Sequence, residues 1–206
     1  MAVVHAQVQL PEEQEQEPEH PSMSVGMMGM YIFLASEVMF FGSLFATYFY
    51  LFGSHPLGWP PRGTEAVHWF PIPWVNTWIL VSSGVTCHFA ADAIARNNRT
   101  RFFTLLVATI VLGVFFEVGQ AYEFLTANIK FSGPNLFSSA FFTMTGFHGL
   151  HVMGGLIFLS LVFGRALKGQ FNSQHHVAVA AATLYWHFVD LVWLFLFGIL
   201  YVAVTY

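Results

Sequence analysis

Five uninterrupted apolar runs, at about residues 25–52, 74–95, 102–126, 137–164 and 177–204, leave this sequence little freedom in how it folds. Each is long enough to cross a hydrocarbon layer about 30 Å thick, which takes about 20 residues of helix rising 1.5 Å per residue. Backbone N–H and C=O groups find no water there, so a spanning segment satisfies them within itself or closes into a barrel. The alternation of a barrel strand is missing from these runs, and helix is the reading that remains. The predicted fold is therefore all-α, an integral membrane bundle of five transmembrane helices. Composition agrees: 9% of residues are charged, against roughly 25% in a soluble domain.

Outside the bundle, residues 23–206, the chain offers only an acidic segment at 1–22. Its five glutamates and lack of lysine or arginine exclude a secretory signal, which needs a basic start and a longer apolar core. The stretch PEEQEQEPEHP is low in complexity, and a disordered, solvated cytoplasmic tail is expected. Cys87 is the single cysteine and lies in an apolar run, so neither a disulfide framework nor a cysteine-based metal site is available.

Lysine and arginine set the expected orientation. Arg96, Arg99 and Arg101 lie in the second connection and Arg165 and Lys168 in the fourth, whereas the first and third hold only Arg62 and Lys130. Basic connections face the cytoplasm, which places the N-terminus inside and the C-terminus outside. The first connection is rich in proline, glycine and tryptophan, and Trp59, Trp69 and Trp74 are expected at headgroup level as interfacial anchors. No internal repeat suggests an inverted-repeat transporter.

An ionisable side chain near the bilayer centre costs at least a few kcal/mol when unpaired, so each one points to a site and a partner. Glu37 lies deep in the first span. Glu117 and Gln120 share a face of the third, with Glu123 nearer its outer end and expected at the interface. His148 and His151 share a face of the fourth, and His187 and Asp190 a face of the fifth. The expected pairs are His187 with Asp190, and Glu37 or Glu117 with His148 or His151. Gly146, Gly149, Gly154 and Gly155 offer the fourth helix a surface for close approach.

Three readings of this constellation remain open. A metal or haem site is weakened by the single short histidine pair and the missing Glu-x-x-His repeat. A proton relay fits carboxylates and histidines at mid-membrane. A structural role, polar groups that fix helix pairing inside the chain or against a partner, is preferred and is compatible with a relay. His175 and His176 are adjacent, and so point about 100° apart on a helix; they read as interfacial rather than as ligands of one metal. Asn76 and Thr77 are expected to satisfy backbone or interface groups.

FLASEVMFFG, the WPP turn, NTWILVSSGVT, LGVFFEVGQAYEF, SSAFFTMTGFHGLHVMGG and YWHFVDLVWLFLFGILY follow one another in this order. Together they resemble subunit III of the haem-copper terminal oxidases, over Met27 to Tyr206. The resemblance implies an accessory core subunit of a respiratory, proton-pumping oxygen reductase of the aa3 type. It implies haem and copper in partner subunits and none in this chain, direct packing on subunit I, subunit II in the same complex, and bound phospholipid. Support of proton uptake and of stable turnover follows from the same likeness, as does a place in the bacterial cytoplasmic (inner) membrane, whereas membership of a larger respiratory supercomplex stays open. No nucleic-acid partner is expected. Glu37 matches the family's buried, carbodiimide-reactive glutamate, and His148, His151, His187 and Asp190 match its other intramembrane polar positions. Seven-helix members begin with two further helices that wall a lipid cleft, where this sequence has its acidic tail, and Glu117 is an added acid. Glu37, Gln120 and Phe147 resemble the cytochrome c branch; a quinol oxidase or a nitric-oxide-reductase-associated relative is the alternative. A stand-alone metalloenzyme and an ion channel are the readings from other classes.

Overall fold

The computed structural model describes residues 24–55, 59–61, 71–126 and 136–203, so the acidic tail, Trp69, Arg62 and Lys130 lie outside the described residues. Five helices follow one another: α1 (Val25–Gly53), α2 (Ile72–Ala95), α3 (Arg99–Thr126), α4 (Leu136–Leu167) and α5 (Val177–Phe197). A π-helical turn, Gly198–Val202, continues α5. All five are long and apolar enough to span a membrane, and no strand occurs among the described residues. The chain is a multi-pass membrane protein.

Local chemistry sets the helix ends. Ser24 caps α1, its hydroxyl accepting from the Met27 N–H at 3.3 Å, as short polar side chains do at a helix start. Pro73 opens α2, where the missing N–H costs nothing. Between α2 and α3 the turn is three residues long, with Asn97 at φ 56°, a left-handed conformation asparagine tolerates better than most side chains. Gly169, at φ 71°, ends α4 as glycine commonly does.

α2, α3, α4 and α5 form a ring in which each packs on the next and α5 closes on α2, while α1 lies outside against α5 and α4. The most apolar stretch of α5 is 56% buried and that of α1 only 11%, so α5 is the central post and α1 an outer stave. Lipid is as apolar as leucine and gives helices little hydrophobic reason to associate, so close packing and hydrogen bonds hold the bundle. Trp186 of α5 illustrates both. Its indole N–H donates to Ser83 of α2 at 3.0 Å, and its ring lies against Gly113 of α3 and Gly155 of α4, where an added Cβ would come within 2.8 Å. Of the other α4 glycines, Gly149 faces Glu117 and Gly154 the Tyr185 hydroxyl, whereas Gly146 faces open space. Side chains rather than a neighbouring backbone fill that surface.

The two basic connections meet at one end of the bundle. Asn97 donates to Ser173 Oγ and accepts from the Ser173 N–H, both at 3.0 Å, and Arg99 donates to the Phe171 carbonyl at 3.2 Å. At the opposite end Trp59 is buried, its indole donating to the Tyr48 hydroxyl at 3.1 Å, which itself donates to the Ile199 carbonyl at 2.9 Å. These bonds fasten the far end of α1. Trp74, 39% exposed, stands edge-on to Trp78 at 5.8 Å.

Candidate functional site

α1 packs against α4, and a carboxylic acid on one meets an imidazole on the other. Glu37 Oε2 lies 3.0 Å from His151 Nε2, with both side chains more than four-fifths buried. His151 Nδ1 is 2.7 Å from the Phe147 carbonyl; a carbonyl only accepts, so Nδ1 carries a hydrogen. Nε2 then either accepts from a protonated carboxyl or, as imidazolium, donates to a carboxylate. In both states the pair shares one proton and carries no net charge, which suits a site inside the hydrocarbon. Rings insulate it: Phe40 stacks on His151 at 6.0 Å and Phe41 meets it edge-on at 4.9 Å. The His151 carbonyl accepts from the Tyr185 hydroxyl at 2.9 Å, so α5 supports the same residue.

His148, three residues earlier, has a different setting. It is fully buried, stacked on Trp193 at 5.0 Å and edge-on to Phe116 at 5.9 Å, and neither ring nitrogen has a hydrogen-bond partner among the described residues. Glu117 does not reach it. One Glu117 oxygen lies beside Gly149, and the other is buried without a hydrogen bond among the described residues. Gln120 and Glu123 are buried further along α3, and the hydroxyl of Tyr201, in the π-helical turn, faces both. Glu117, Gln120 and Glu123 thus follow one another along the inward side of the third helix.

On α5, His187 Nδ1 is 3.8 Å from Asp190 Oδ2, across the i, i+3 spacing. The Asp190 carboxylate occupies the space a Cβ on Gly84 of α2 would need. Glycine there is required by close approach. His88 of α2 stands beside this pair, 6.0 Å from His187 ring to ring. Among the described residues no group of three histidine, cysteine, aspartate or glutamate side chains is placed to hold a metal ion.

Asn76 and Thr77, expected to satisfy backbone or interface groups, make cross-helix bonds whose partners the sequence did not name. Thr77 accepts from the Trp193 indole at 3.0 Å while donating to the Pro73 carbonyl at 2.8 Å. Asn76 donates to the Phe116 carbonyl at 3.2 Å, its amide filling the space beside Gly119. Thr86 and Thr109 share a hydrogen bond at 2.8 Å. Two tryptophans seven apart on α5, on one face, and two hydroxyls six apart on α2 were the available signal. Antiparallel helices pair such residues in register.

A family model described as cytochrome c oxidase subunit III matches residues 12–204. Among curated relatives, a protein named cytochrome c oxidase subunit 3 from Thermostichus vulcanus is 41% identical over 189 residues, which is 91% of each chain. Proteins of the same name from Aedes aegypti and Pongo abelii are 44% and 41% identical over 177 residues, 84% of this chain and 67% of theirs.

Proposed function

The chain belongs to the cytochrome c oxidase subunit III family, and on that premise we propose that it is the non-redox core subunit of an aa3-type oxygen reductase in a bacterial cytoplasmic membrane. In this reading haem and copper sit in subunits I and II, and this chain packs on subunit I, holds phospholipid and sustains proton uptake through many turnovers. The family match over residues 12–204 carries the reading. Its support lies in how the intramembrane polar residues are used: Glu37 and His151 engage each other, His187 and Asp190 do likewise, and His148 is closed in by rings. Such groups fix helices rather than turn over a substrate.

Purified oxidase with and without the chain provides the test. The depleted complex is expected to keep its haem, its copper and its initial turnover, and to lose activity progressively during oxygen reduction; equal endurance of the two complexes would sink the accessory role. Stoichiometric iron, copper or zinc in the chain freed of all other subunits would overturn the non-redox assignment. A co-purifying subunit with a copper-binding domain identifies cytochrome c as donor.

A further inference from the structure

α5 forms the floor of a shallow trough on one side of the bundle, with α1 along one rim and α2 along the other. On the α1 side the trough holds an apolar groove of about 230 Å³ lined by Phe41, Phe45, Phe188, Leu191 and Phe195 among others. Its α2 side is polar. The His187 side chain is 42% exposed, and His88 beside it is exposed.

Depth makes this arrangement informative. His187 is ten residues from the start of α5 and His88 seven from the end of α2, which sets them about 15 and 10 Å in from the same end of the bundle. Hydrocarbon chains at that depth offer no hydrogen-bond partner. The exposed hydroxyls of α1 meet this constraint inside their own helix: Ser36, Ser43 and Thr47 each donate to a carbonyl three or four residues back. Neither exposed imidazole has such a bond to its own helix; their contacts are with each other, with Phe89 and with Asp190.

We infer that this trough is the docking surface for a transmembrane helix of another subunit, one that presents a hydrogen-bonding side chain at the level of His187 and apolar side chains to the groove beside α1. The inference rests on the reading that the chain works inside an oxidase complex. His187 also sets the chemistry of the incoming group. With Nδ1 turned to Asp190, a neutral ring offers Nε2 as an acceptor, so the partner supplies an O–H or N–H.

A photo-activated residue placed at Leu191 or Leu194, 54% and 46% exposed on α5, or at Val111, 45% exposed on α3 and away from the trough, tests the surface in the purified complex. The α5 positions are expected to join the chain to a co-purifying oxidase subunit, and Val111 is not; lipid adducts alone from Leu191 and Leu194 overturn the docking surface. His88→Leu and His187→Leu are expected to reduce retention of the chain through detergent extraction. Unchanged retention means that the face meets lipid, and defeats the proposal. Subunit adducts from Val111 alone defeat the trough and leave the oxidase reading intact, whereas a chain that never co-purifies with haem-bearing subunits defeats both.

Discussion

A proton shared between Glu37 and His151 lets two ionisable side chains sit in hydrocarbon without net charge, and the geometry says which substitutions keep that arrangement. Because Nδ1 is committed to the Phe147 carbonyl, a neutral His151 accepts at Nε2, and a glutamine at position 37 can still donate its amide N–H there. Glu37→Gln should therefore leave thermal stability and initial oxidase turnover close to wild type. Leucine removes the donor and leaves a buried nitrogen unpaired, at about 1–3 kcal/mol. Glu37→Leu is expected to lower the unfolding midpoint in detergent, read by the fluorescence of the tryptophans; equal midpoints for the two variants would show that the pair does not hold α1. His148 and His151 looked interchangeable in the sequence. Three residues apart they differ by 60° around α4, enough to send one into the Phe116 and Trp193 rings and the other to α1. Sequence spacing supplies that angle but not the direction the helix faces, so the partner of Glu37 was readable only as one of two.

Helices in this bundle meet where one side chain fits a glycine on its neighbour. Trp186 against Gly113 and Gly155 ties α5 to α3 and α4, Asp190 against Gly84 ties it to α2, and Asn76 against Gly119 ties α2 to α3. Gly155→Ala places a methyl within 2.8 Å of a rigid indole that is itself held by Ser83, and overpacking of that kind costs about 1–3 kcal/mol. Gly146, on the same helix, has no atom within 4 Å of its added Cβ. There alanine should be neutral or stabilising, by up to about 1 kcal/mol of helix propensity. Thermal unfolding of the two variants side by side separates a packing glycine from a spare one, and matching losses would refute the clasp. The sequence showed that glycines accompany the polar residues of α4 but not which of them are occupied. That depends on the rotation of α5, which hydropathy leaves undetermined because the helix is apolar almost all round.

At the scale of the whole molecule, the number of spans was legible because it depends on length and hydropathy alone. His187 with Asp190 was legible too, since both lie on one helix three residues apart. The inward setting of Gln120 and Glu123 was harder to read, because Tyr201 reaches them from the π-helical turn at the far end of the chain. Orientation is the remaining global property, and one observation sharpens it. The helix ends and turns that carry Arg96, Arg99, Arg101, Arg165 and Lys168 are bonded to each other at one end through Asn97, Arg99, Ser173 and Phe171. They face the same compartment, and the excess of basic residues leads us to propose the cytoplasm for it. With Cys87 replaced by serine, a cysteine introduced at Asn98 or at Gln170 should resist a membrane-impermeant maleimide in intact cells and react in inverted vesicles. A cysteine at His55, at the opposite end of α1 from Ser24, should do the reverse. Labelling of Asn98 and Gln170 positions from opposite sides would break the paired end itself, and labelling of both from outside would invert the bundle.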